Sequence, residues 1–245
     1  MDFFDYGNRA EHNIELVNPS SIEKIIRLGK VLSLNESSRI IDFGCGYAEM
    51  LVHWASEFGI SGVGIDIREQ ACRRARKKIA EKGLNKRIEV VCGKGADYKF
   101  KEHEFDIATC IGATFIWEGF RSAIQAMKLA IKPGGSLVIG EVYWLKSDIP
   151  KELVERMPAV TTESEMLKIA RQEGFDFKFI IRASDDDWDN YETSNWVGAL
   201  KWIEENPEHP QRQDMIDMLH REQDLYINYT RKYIGWAMYV LKPAV

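Results

Sequence analysis

Arg39-Ile-Ile-Asp42-Phe-Gly44-Cys-Gly46-Tyr-Ala48 and, after a helical interval, Ser61-Gly-Val-Gly-Ile-Asp66-Ile67 decide how this chain folds. Arg39 to Phe43 is a short apolar run broken by one carboxylate, which suits a parallel strand covered on both faces. Gly44 and Gly46 follow at once. They can take φ > 0 and let main chain approach a ligand closely, while Ala48 keeps the helix start small. Leu51, Trp54, Ala55 and Phe58 then recur at helical spacing, with Gly59 as the stop. A second apolar run ends on Asp66. Strand, glycine turn, helix and strand form a βαβ unit with a nucleotide-type site at its turn.

The spacing of small residues separates two ligands. A dinucleotide site asks for G-x-G-x-x-G, whereas Glu49 stands at the third position, bulky and anionic where a pyrophosphate would lie. NAD is therefore disfavoured. A glycine turn that binds nothing is the plain alternative, against which the two flanking buried strands and the terminal acid both count. The pattern Asp42-x-Gly44-x-Gly46-x-Ala48, with Asp66 beyond, resembles that of class I S-adenosylmethionine-dependent methyltransferases. That cofactor has no phosphates to repel a carboxylate. Its α-ammonium needs acidic or carbonyl partners, and its ribose hydroxyls are donors that Asp66 can accept. The resemblance implies cofactor contacts at Asp42, Gly44, Cys45, Gly46, Asp66, Ile67, Gly95, Ala96 and Ile111.

With 245 residues, 45% of them hydrophobic, the chain suits one α/β domain with an elaborated cap. A net charge of −5 argues against an extended nucleic-acid surface, which needs excess cations to displace counterions. Cys45, Cys72, Cys92 and Cys110 form no CxxC pair, as expected of free thiols in a reducing compartment. The first residues lack a basic n-region with a long apolar core, and no run approaches the roughly 20 apolar residues of a membrane span. A soluble cytoplasmic protein is the expectation.

Residues 1–20 read as an irregular aromatic lid containing His12. Ser20 or Ser21 caps a helix carrying Ile22, Ile25, Ile26, Gly29 and Leu32. Beyond Asp66 a helix buries Ala71, Ala75 and Ile79 and turns a run of arginines and lysines to solvent. Strands follow at Arg87–Cys92 and Phe105–Ile111. Between them the family carries Gly-Asp-Ala, whose acid takes the adenine amino group, but Lys94 stands there in Gly93-Lys94-Gly95-Ala96-Asp97. Lysine cannot accept that donor. Either Asp97 substitutes, or main chain at Gly95 and Ala96 and sandwiching against Ile67 hold the ring.

A helix over 120–131 leads into Lys132-Pro133-Gly134-Gly135, a type II turn signal, and an apolar strand over 136–143. Helix, Pro-Gly-Gly and strand in this order again resemble the class I pattern. The turn after the fourth strand, Gly112-Ala113-Thr114, lacks the Asn-Pro-Pro-Tyr of DNA amino-methyltransferases. Residues 148–157 read as an irregular link, Thr162-x-x-Glu165 as a capping box, and 176–183 as a sixth strand. Two helices, from Ser184 to Asn206 and on past Tyr229, precede a seventh strand over 233–241. The fold class expected is α/β: a Rossmann-like class I methyltransferase fold, a seven-stranded mostly parallel sheet with an antiparallel last strand. In this single domain, 1–245, residues 184–232 form a helical cap inserted between strands six and seven. The later aromatic motifs resemble a bacterial small-molecule branch of the family.

Methyl transfer from a sulfonium asks chiefly for positioning and exclusion of water, worth roughly 7–11 kcal/mol. A base is needed only when the acceptor arrives protonated. His12, Glu141 and Tyr143 are the candidates, each also readable as a solvated or structural group. Trp117, Trp144, Trp188 and Tyr191 are candidates for a substrate pocket, against the reading that they are core. No metal-ligand spacing is evident. The resulting expectation is transfer to a small organic acceptor. A protein that binds S-adenosylmethionine or S-adenosylhomocysteine without turnover is the alternative.

Overall fold

A computed structural model describes residues 1, 3–11 and 14–244, and of residues 3 and 4 the main chain alone. The sequence is built into helices α1 (Phe3–Ala10), α2 (Ile22–Val31), α3 (Glu49–Phe58) and α4 (Glu69–Glu81), with strands β1 (Arg39–Phe43), β2 (Ser61–Asp66) and β3 (Ile88–Cys92). β4 (Phe105–Ile111), α5 (Phe120–Met127), β5 (Ile131–Trp144), α6 (Lys151–Arg156), α7 (Glu163–Gln172) and β6 (Phe175–Arg182) follow. The chain ends with α8 (Asp185–Glu205), α9 (Arg212–Leu225), a π turn (Tyr226–Thr230) and β7 (Ile234–Pro243). The sheet order is β3-β2-β1-β4-β5-β7-β6. β7 runs antiparallel to both β5 and β6, while the pairs among β1 to β5 are parallel.

Both faces of the sheet are covered, and the two-residue strand period sorts the core accordingly. Ile41, Phe43, Leu137, Ile139, Tyr239 and Leu241 face α5 and α7. Ile40, Val138, Met238 and Val240 face α2, α3 and α4. Trp54 is fully buried, and its indole N–H donates to the Ile25 carbonyl at 2.8 Å, which ties α3 to α2. The strand order reverses between β1 and β4, and that reversal opens the crevice at their carboxyl ends.

Three local expectations differ from what is seen. The first 20 residues contain α1, and Tyr6 and Ala10 from it pack with Ala199, Ile203 and Met215 of α8 and α9. Gly198 makes this possible, since a Cβ there would sit 1.8 Å from the Ala10 carbonyl oxygen. The segment 148–157 holds the short helix α6, which buries Leu153 against Trp144 and Ile234. The helix after β4 stops at Met127, and Ile131 already pairs with Phe105 in the sheet. Gly134 does take φ +75, as the third position of a type II turn requires.

Candidate functional site

The loop after β1 is held by two amides, from Gly44 and Cys45, donating to the Ile65 carbonyl at 2.8 and 3.0 Å. Gly44, Gly46 and Ala48 all have left-handed φ, at +76, +54 and +58. A Cβ on Gly44 would lie 2.5 Å from the Ala113 Cβ, so this position must be glycine for the loop to seat against the turn after β4. At Gly46 the nearest atoms to such a Cβ are 3.6 and 3.8 Å away. These are ordinary contact distances, to the Val17 and Arg68 side chains.

Asp66 closes the site from β2. Its Oδ2 accepts from the Gly46 amide and its Oδ1 from the Arg68 amide, both at 2.8 Å. Each oxygen keeps a lone pair for a further donor. Asp42 lies deeper, 3% exposed, and accepts from the Thr109 hydroxyl at 2.6 Å. Burial, only partly offset by that hydrogen bond and reinforced by Asp66, pushes its carboxyl up to about 7.

A cavity of about 410 Å³ opens over this loop. It falls within the roughly 300–1,000 Å³ typical of small-molecule sites. Gly44 and Gly46 line it from the loop after β1, Asp66 and Ile67 from the end of β2, Gly95 and Ala96 from the turn after β3, and Ile111 from the end of β4. Asp42 and Cys45 do not line it. They face a recess of about 40 Å³ behind the glycine loop. Lys94 lines the cavity, whereas Asp97 is absent from its walls and sits at the end of the 3₁₀ turn Gly95–Asp97. Of the two ways left open for holding an adenine, main chain and apolar contact is the one these walls offer.

Sequence reasoning missed one wall. Glu11 lines the cavity while only 4% exposed. Its Oε2 accepts from Arg68 Nη1 at 2.7 Å and from the Tyr47 hydroxyl at 2.8 Å. Arg74 donates to the carbonyls of Glu11 and Ile14 at 2.9 and 2.6 Å, and its guanidinium lies 4.0 Å from the centre of the Tyr47 ring. The basic run on α4 is therefore only partly a solvated face: Arg73 and Lys77 are exposed, but Arg74 holds the N-terminal segment and Arg76 holds the Val90 carbonyl. Nothing at Glu11 itself signals this. The legible clue is Arg68, a cation directly after Asp66-Ile67 that needs an anionic partner if buried.

The remaining candidates divide. Tyr191, from α8, lines the 410 Å³ cavity. Trp117, Trp144 and Trp188 line neither it nor the cavity beside it. Trp117 packs edge-on against Phe43 with ring centres 4.9 Å apart, Trp144 donates its indole N–H to the Val160 carbonyl at 2.8 Å, and Trp188 lies against Tyr226. Their packing surfaces and, for Trp144, the polar edge are already used in the core. Tyr143 lines neither cavity: it fills the space above Gly235, and burial together with Glu163 raises its phenol, which stays protonated at neutral pH. Glu141 lines a separate cavity of about 200 Å³ that shares Gly112 and Phe115 with the first. His12 lies outside the described residues.

This fold recurs in known proteins. A methyltransferase-domain profile matches residues 40–135. The uncharacterized protein YjhP of Escherichia coli (strain K12) is 32% identical over 240 residues, spanning 96% of this chain and 95% of YjhP. A SAM-dependent methyltransferase from Thiobacillus denitrificans, solved in complex with S-adenosyl-L-homocysteine, superposes with a TM-score of 0.91 at 30% identity over 99% of this chain and 100% of that one. The corresponding complex from Geobacter sulfurreducens gives 0.92 at 30% identity, covering 98% of each chain. The chain belongs to the class I S-adenosylmethionine-dependent methyltransferases.

Asp66 has acceptor capacity for a diol, and Ile67, Ile111 and Ile116 give apolar walls for a flat ring. Gly46 adds no side chain on the loop side. These groups fit the nucleoside. Lys94 lines the cavity at the position where the resemblance implies an acid. Among the described residues no helix is long and apolar enough to cross a membrane.

Proposed function

We propose that this protein transfers the methyl group of S-adenosylmethionine to a small organic acceptor, with the nucleoside in the 410 Å³ cavity. The observation that carries the reading is Asp66, held by two main-chain N–H donors at the end of β2 and facing the cavity beside Gly46. Bound there, the cofactor supplies an activated methyl group for in-line displacement. The chain's part is placement. Asp66 and the main chain at Gly95 and Ala96 fix the nucleoside, Ile67 and Ile111 cover its ring, and Asp42 and Cys45 support the loop from behind. Glu11, Arg68 and Tyr191 form a wall on the N-terminal side that keeps water out.

Several features favour a small acceptor. The N-terminal segment and residues 184–232 act as lid and cap of a single domain, and they narrow access to the crevice. The net charge of −5 disfavours nucleic acid, and four free cysteines suit the cytoplasm. Lys94 favours a second reading, a protein that binds the nucleoside without turnover, because adenine then loses the acid that usually fixes it. Isothermal titration with S-adenosylhomocysteine tests the shared premise: a single site is expected, and absence of heat overturns both readings. Methyl transfer from labelled S-adenosylmethionine to any member of an acceptor panel then decides for the enzyme.

A further inference from the structure

The second cavity, of about 200 Å³, lies at the carboxyl ends of β4 and β5 and meets the first at Gly112 and Phe115. Phe115, 64% exposed, stands between them. Phe120, Val142, Ala159, Val160 and Met166 make its walls largely apolar. Among the described residues its charged groups are Glu141 and Glu118, and no described lysine, arginine or histidine lines it.

Glu141 is the better-defined of the two. Its Oε2 accepts from the Thr114 hydroxyl, and its Oε1 accepts from the Val142 amide at 2.9 Å. A carboxylate offers about four lone-pair positions, so both oxygens retain capacity. Both of these partners are neutral. Even a half-buried carboxylate without a cation carries a desolvation cost, and that desolvation raises the Glu141 carboxyl despite both hydrogen bonds. A cation entering the cavity would remove that cost. Glu118 reaches the same space from the turn before α5 and adds to its negative potential.

We infer that this second cavity is the acceptor site and that it takes a molecule with a positively charged amine on an apolar body, Glu141 pairing with the ammonium as an anchor while a different, neutral atom of the acceptor, one that keeps its lone pair, receives the methyl group. The inference rests on the methyltransferase reading above. The apolar walls accept an alkyl or aryl group and Glu141 fixes the ammonium. Phe115 and Gly112 put the occupant next to the cofactor cavity. A neutral isostere would forgo the ion pair, and an anion would meet two carboxylates.

Saturation-transfer NMR on the protein loaded with S-adenosylhomocysteine provides the test, with 2-phenylethylamine, 2-phenylethanol and phenylacetate as matched probes. Transfer to the amine alone is expected. In Glu141→Gln the affinity for that amine should fall at least about tenfold, the loss of one charge-assisted contact. Affinity for S-adenosylhomocysteine should not change, because Glu141 does not line the cofactor cavity. Equal or stronger transfer to the alcohol or the acid overturns the inference, as does undiminished amine binding in Glu141→Gln. Should the wild-type protein fail to take up S-adenosylhomocysteine at all, the methyltransferase reading itself falls first.

Discussion

Asp66 and the two glycines carry separable tasks. Asp66→Ala removes the acceptor facing the cavity and also frees the Gly46 and Arg68 amides, so S-adenosylhomocysteine should bind about 1–3 kcal/mol more weakly by titration calorimetry. Gly46→Val should leave a folded protein that no longer binds, because ordinary contact distances surround the new Cβ while its branches enter the cavity. The left-handed φ adds about 1–2 kcal/mol of strain. Gly44→Val differs, since its Cβ collides with Ala113 and the fold itself should suffer. Circular dichroism with calorimetry separates the two. At Asp42 the sign of a pH effect follows from a carboxyl raised from 3.8 to about 7. The folded chain holds that proton more tightly than the unfolded chain. The stability attached to protonated Asp42 is thus present at low pH and lost between about pH 4 and 7, at roughly 1.4 kcal/mol per unit. Asp42→Asn should flatten this loss in urea unfolding measured at pH 5 and pH 8, and an unaltered slope would refute the assignment.

At the scale of elements, the residue after α1, Glu11, is joined to the turn before α4 through the buried ion pair with Arg68, and to the glycine loop through the Tyr47 hydroxyl. Breaking such a pair on one side strands a charge, at a cost of about 3–5 kcal/mol. Arg68→Met should therefore destabilise strongly, and adding Glu11→Leu should recover much of the loss. A double-mutant cycle by denaturant unfolding measures this, with additive losses as the contrary result. Gly198→Ala would push α1 off α8, lowering the melting temperature and moving Glu11 away from the cavity wall. A purely irregular lid would show neither effect. The sequence suggested irregularity here because the first 20 residues have aromatics but no long amphipathic period. An eight-residue helix gains its stability from packing on a partner rather than from its own turns. The same reason hid α6.

For the molecule as a whole, saturation with ligand at about 100 times its Kd adds about 2.7 kcal/mol to the folded state. In a chain of this size that corresponds to a rise in Tm of roughly 5–10 °C. Scanning calorimetry with S-adenosylhomocysteine should show it, and a flat melting temperature would count against the site. The central sheet was legible because each of its strands reads locally. Arg39–Phe43, Ser61–Asp66 and Phe105–Ile111 are apolar runs bounded by turn residues, and Gly44-x-Gly46 marks the turn that meets the ligand. The aromatic candidates were less legible. Trp117, Trp144 and Trp188, on a 3₁₀ turn, a strand end and a helix, have the chemistry of a pocket, and local sequence does not say which side of an element its neighbours cover.

The amino-acid sequence alone determined the α/β class, the glycine loop, the acid ending β2 and the membership these imply, because those depend on local conformational freedom and short-range periodicity. Tertiary structure decided what depends on neighbours distant in sequence. It paired Glu11 with Arg68 across 57 positions, packed Tyr143 over Gly235 and set Glu141 on a cavity that no cation lines among the described residues. Burial and electrostatic company belong to the assembled molecule, and no single stretch of chain contains them.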